Sequence, residues 1–69
     1  MEKRTYRKTE LAQLYCPEAN PDNARKTLRR WMRYHPTLMQ KLIQSGYNPW
    51  RKFFLRQEVQ IIVDCLGEP

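Results

Sequence analysis

The chain has 69 residues, of which 41% are hydrophobic and 29% charged, and a formal net charge of +6. That length gives one domain over residues 1–69 with a small core, burying about 60% of the unfolded chain's surface. It leaves little scaffold for an enclosed pocket, no window approaches the roughly 18 apolar residues of a membrane span, and the polar start is not a secretory leader.

Charge is unevenly spread. Nine of the thirteen Lys and Arg residues lie in residues 1–35, where only Glu2, Glu10, Glu18 and Asp22 oppose them. From residue 36 onward Lys41, Arg51, Lys52 and Arg56 nearly balance Glu58, Asp64 and Glu68. The excess is therefore a directed patch. Cys16 and Cys65 lie far apart with no CxxC and no nearby histidine, so neither a zinc site nor a disulfide framework is expected. They read as small buried or half-buried thiols in a reducing cytoplasm, with a bridge between them left open.

At the start, Lys3-Arg4-x-x-Arg7-Lys8 is a basic segment, with residues 1–4 expected as a flexible arm that is either frayed or laid along phosphates. Thr5-Tyr6-Arg7 is a candidate short strand. Thr9 then reads as the N-cap of a first helix, with Glu10 in its first turn. Leu11, Ala12, Leu14 and Tyr15 form its apolar stripe, and Pro17 ends it. Tyr6 and Tyr15 are expected at the core's edge with wet hydroxyls.

Asn20 caps a second helix whose first position is Pro21, with Asp22 beside the positive helix end. The link of about four residues between the two helices is that of a helix-turn-helix. At about 100° per residue, Ala24, Leu28, Trp31 and Met32 gather on one face of the second helix. Arg25, Lys26, Arg29, Arg30 and Arg33 sweep the other, and Asn23–Tyr34 contains no acid. An ordinary solvated face interleaves both signs at i,i+4 spacing. A helix showing only cations is suited to a polyanion, and nucleic acid is the commonest. Trp31 is expected as the core's largest member, so that Trp31→Ala would cost about 3–5 kcal/mol.

His35-Pro36 interrupts the basic helix, and Thr37–Ser45 is a third helix with Leu38, Met39, Leu42 and Ile43 apolar and Gly46 as its C′ residue. Tyr47-Asn48-Pro49-Trp50 is a turn. Trp50 there either caps the core from outside or sits at a wing tip against a nucleic-acid backbone. Lys52–Leu55 is the best strand candidate, and Thr5–Arg7 has only Phe53-Phe54 to pair with. A last helix runs from about Arg56 to Leu66 and stops at Gly67, burying Val59, Ile62, Val63 and Leu66. Ile61 and Cys65 on its flank either broaden the core face or form a small patch for a second subunit.

The order of parts carries a resemblance. Tyr6-x-x-Thr9-Glu10-Leu11-Ala12-x-x-Tyr15, a turn, Leu28-Arg29-x-Trp31 and the closing Phe54-Leu55-Arg56-Gln57-Glu58-Val59 resemble MerR-like and excisionase-like winged helices. Leu55 stands where that pattern has a Ser or Thr cap, and residues 36–50 are longer than a simple wing. Over about residues 5–68 the chain is also similar to a family of small bacterial proteins known only as a domain of unknown function. The residues that carry this are Lys8–Ala12 with Leu14-Tyr15, Leu28-x-Arg30-Trp31, Gly46-Tyr47, and Glu58-Val59-x-x-Ile62-Val63-x-x-Leu66-Gly67. That family implies no activity.

The expected fold is a small, mostly helical, winged-helix-like helix-turn-helix domain with at most a short two-stranded sheet. The expected function is DNA binding without chemistry, as a transcriptional regulator or an excisionase-like accessory factor. Arg25, Lys26, Arg29 and Arg30 would lie nearest bases and phosphates and Arg33 on backbone. Arg51 and Lys52 in the wing, and Arg4, Arg7 and Lys8, would touch phosphate or minor groove. The partner is double-stranded DNA, with a homodimer or a recombinase as a further partner and no membrane. A rival reading is a protein-interaction adaptor whose basic helix docks an acidic partner. His35 is the only histidine, the acids are scattered, and two glycines make no phosphate loop, so no catalytic residue, metal or cofactor is expected.

Overall fold

In the computed structural model, which describes residues 2–69, chain order runs β1 (Tyr6–Arg7), α1 (Lys8–Tyr15), α2 (Pro21–Arg33), α3 (Pro36–Gln44), β2 (Phe53–Phe54) and α4 (Arg56–Leu66). The two strands pair antiparallel, Tyr6 opposite Phe54 and Arg7 opposite Phe53. The Lys8 N–H donates to the Lys52 carbonyl at 3.0 Å and extends that pairing by one rung. α1 packs chiefly on α2 and α3 on α4.

Each helix begins where local chemistry satisfies its free N–H groups. α1 starts before Thr9, because Arg7 is its N-cap and the Glu10 carboxylate accepts the Arg7 N–H at 3.3 Å. The acid thus supplies from the first turn what Thr9 was expected to supply from the cap. The Asn20 side chain accepts from the Asn23 N–H at 2.8 Å at the head of α2. The His35 ring caps α3, its Nδ1 accepting from the Leu38 N–H at 3.1 Å, so this histidine holds a helix end. Gly46 follows α3 at φ +88°, a left-handed conformation that glycine adopts without strain.

The core joins all six elements: Tyr6, Leu11, Ala12, Ala24, Leu28, Met32, Leu38, Leu42, Phe54, Val59, Ile62 and Val63 are buried, and Ile61, Cys65 and Leu66 pack half-buried against it. The cysteines are free and half-buried. Glu58 is also wholly buried. Its carboxylate takes two hydrogen bonds from the Arg51 guanidinium, at 2.5 and 2.6 Å, and one from the Leu55 N–H at 2.8 Å. Leu55, where the winged-helix pattern has a hydroxyl, therefore heads α4 without a side-chain cap, and Glu58 three residues on does that work.

Trp31 departs from expectation, for it is 40% exposed. The buried stripe of α2 is Ala24, Leu28 and Met32, and Trp31 lies roughly 60° from its centre on a helical wheel. It is covered on one side by the edge of Tyr15, ring centroids 6.3 Å apart and planes at 88°. Trp31→Ala is accordingly expected to cost about 1–2 kcal/mol, from partial burial and one aromatic pair. Thermal denaturation of the variant checks this, and a loss above about 3 kcal/mol would return Trp31 to the core. Leu14 and Ile43, expected in apolar stripes, are exposed as well, at 44% and 65%.

Candidate nucleic-acid interface

α2 presents the cations. Arg25, Lys26, Arg29, Arg30 and Arg33 are all exposed. Their environments differ in one respect. Asp22, in the first turn, accepts from Arg25 at 2.8 Å and lies 3.1 Å from the Lys26 ammonium. These two partners hold its carboxyl below the ordinary aspartate range. Among the described residues no side-chain hydrogen bond or ion pair engages Arg29, Arg30 or Arg33.

Arg29 lies on the divide between two hollows. One, of about 400 Å³, runs between α2 and the 47–50 turn and includes Arg25, Arg29, Leu28, Tyr47, Trp50 and Phe54 in its walls. The other, of about 370 Å³, is lined by Lys26, Arg29, Arg30, Arg33 and Tyr34. No carboxylate lines either. Tyr34 is 77% exposed and Trp50 90%, so each hollow has an uncovered aromatic ring beside its cations. Trp50 is therefore at the tip of its turn and does not cap the core.

That turn is well held. The Lys8 ammonium donates to the carbonyls of Asn48 and Pro49, at 3.4 and 3.0 Å, and stands 4.7 Å from the centre of the Tyr47 ring. Burial, then the nearby Arg51 charge, pushes this ammonium below the ordinary lysine value. The Asn48 side chain accepts from the Trp50 N–H at 2.9 Å, and Tyr47 stacks on Phe54 with ring centres 6.0 Å apart. Trp50 is thus displayed by a fixed backbone.

Arg51 and Arg4, also expected at the interface, are committed elsewhere. Arg51 points to Glu58 and donates through Nε to the Phe53 carbonyl at 3.1 Å, because a buried carboxylate requires a charged partner. Arg4 donates to Glu10 at 3.0 Å and lies 3.8 Å over the Tyr6 ring, which lowers the Glu10 carboxyl. The Tyr6 hydroxyl donates to the Glu2 carbonyl at 2.8 Å. These contacts tie residues 2–4 to the body, where sequence led to a free arm; Met1 lies outside the described residues. Arg7 is 5.6 Å from the Phe53 ring, and Lys52 is exposed beside β2.

Sequence reasoning missed the Tyr34 and Trp50 hollows and the Glu58–Arg51 bridge. The bridge had one signal, a Glu at the third position of a helix and on the same face as Ile62. The larger hollow had none, since it forms only when α2 and the 47–50 turn come together, whereas the smaller one is lined by α2 and Tyr34 alone. Among the described residues no three His, Cys, Asp or Glu side chains group as metal ligands, and no helix is long and apolar enough to cross a membrane.

No curated protein and no solved structure matches the chain. Residues 2–69 match the family described as Domain of unknown function (DUF4248). With nearly the whole chain covered, this protein belongs to that family.

Proposed function

We propose that the protein binds double-stranded DNA without chemistry, with α2 entering the major groove in the manner of a MerR-like or excisionase-like winged helix. One observation carries the reading: Arg29, Arg30 and Arg33 extend from one helix face with no carboxylate engaging them. Such a face gains by releasing a polyanion's condensed counterions. α2 also rests on α1 across a short turn and leaves this side uncovered, the geometry a recognition helix needs. Lys26 and Arg25 add charge that Asp22 moderates, and Lys52 and the 47–50 turn occupy the wing position. A transcriptional regulator and a DNA-bending accessory factor both fit; the accessory factor would bend its site strongly, and circular-permutation mobility shifts separate the two.

The test is selection from random oligonucleotides at about 150 mM salt, where phosphate-only binding is weakened. A preferred site should emerge, and Arg29→Lys should then separate reading from attraction. Lysine keeps the charge but cannot grip a guanine's two major-groove acceptors with a paired fork. The variant is expected to lose about 1–3 kcal/mol on the preferred site while its affinity for random DNA barely changes. Equal weakening on both would make Arg29 a backbone contact. Weak and indifferent binding to all DNA would instead favour an acidic protein as the partner of this face.

A further inference from the structure

Trp50 is unusual because its ring is 90% exposed while its backbone is firmly held. Tryptophan is highly buried on average. Here the Lys8 ammonium bonds both carbonyls ahead of it and the Asn48 side chain fixes its N–H. The ring therefore stands at the rim of the larger hollow, across from Arg25 and Arg29 on α2. The floor between them is apolar, made of Leu28 and Phe54, and Tyr47 supplies a second aromatic wall. A ligand that fits must be flat and apolar in one part and anionic in another, because the lining has rings and guanidiniums and no carboxylate. At about 400 Å³ the hollow is at the small end of the range of roughly 300–1,000 Å³ typical of ligand sites, room for one nucleotide.

We propose that this hollow seats a single unpaired nucleotide, its base against Trp50 and Tyr47 and its phosphate on Arg25 and Arg29. The assignment deepens the DNA reading and rests on it. A strand leaving the hollow crosses Arg29 into the second one, where Lys26, Arg30 and Arg33 meet further phosphates and the Tyr34 ring, 77% exposed, is available to another base. Cations tracking a backbone with uncovered rings at intervals are the means by which proteins hold unpaired strands. The protein would therefore favour DNA in which a base is out of the stack, at a junction, bulge or frayed end.

The experiment uses Trp31→Phe, which leaves Trp50 as the sole tryptophan of the two. Its fluorescence is titrated with thymidine monophosphate, with a short oligothymidylate, and with duplexes that do or do not carry one unpaired thymine. Anisotropy of labelled duplex is followed in parallel. Saturable quenching by the oligothymidylate is expected, and the bulged duplex should bind about tenfold tighter than the perfect one, the worth of one stacked base. Trp50→Ala should abolish that preference, bringing bulged and perfect duplex to the same affinity. Quenching by the monophosphate as strong as by the oligomer would assign the site to a free nucleotide; stronger quenching by the oligomer assigns it to a strand. A silent Trp50, or a bulge preference that survives Trp50→Ala, overturns the inference. If perfect duplex still binds in that case, the DNA reading stands without it, whereas no binding of any DNA overturns both.

Discussion

Glu58→Ala is expected to unfold the protein or bring it to the edge of unfolding. The carboxylate is wholly buried, pairs with Arg51 through two hydrogen bonds and accepts the Leu55 N–H at the head of α4. Removing it strands a guanidinium that is itself largely covered, its side chain 27% exposed, and leaves a helix end without its acceptor. Breaking one partner of such a pair costs about 3–5 kcal/mol. A core of this size rarely supplies more than about 3–5 kcal/mol in total. Far-UV circular dichroism during heating checks this: the cooperative transition should disappear or fall by tens of degrees. Replacing both partners, Arg51→Met with Glu58→Leu, should recover much of the loss, since no buried charge is then orphaned. A variant Glu58→Ala that melts like the parent would mean that water reaches this site and that the bridge is peripheral.

Much of this architecture is legible in the sequence because it is written in local signals. Asn20-Pro21, Gly46 and Gly67 mark helix ends through capping and left-handed backbone, and the structure places α2, the end of α3 and the end of α4 at those marks. The strand pairing of Tyr6–Arg7 with Phe53–Phe54 follows because the chain offers no other pair. The exposure of Trp31 is not legible in this way, because a helical wheel gives the angle of a side chain and not the width of what covers it. Trp31 is left 40% exposed beside Tyr15, and the buried stripe stops at Leu28 and Met32. Arg51 is hard to read for a related reason: its charge suggests a wing contact, while the acid paired with it is seven residues on and buried. Cation count alone could not tell Arg29, Arg30 and Arg33 from Arg4, Arg51 and Lys8. The difference lies in carboxylates and carbonyls brought close by the fold.

The same distinction gives the second large effect. Replacing Arg29, Arg30 and Arg33 together by alanine should leave the fold intact, because all three are exposed and none makes a side-chain hydrogen bond or ion pair among the described residues. Alanine is also the better helix former. DNA affinity should fall about a hundredfold at 150 mM salt, the combined worth of three released counterions. Titration of labelled duplex, with circular dichroism to confirm folding, checks both halves. Arg51→Ala would be a misleading control, since it disturbs Glu58. Lys41→Ala, a change to an exposed residue of α3, is the suitable one and should change affinity little.

Salt dependence of duplex binding tests most directly whether the cationic face of α2 is a phosphate footprint. Affinity for one labelled duplex is measured from about 50 to 300 mM salt. With the basic helix and the wing together making about five phosphate contacts, from Arg25, Lys26, Arg30, Arg33 and Lys52, log K should fall against log salt with a slope near −4.5. A slope shallower than about −2 would correspond to roughly two contacts at most and would contradict the assignment of this face to nucleic acid.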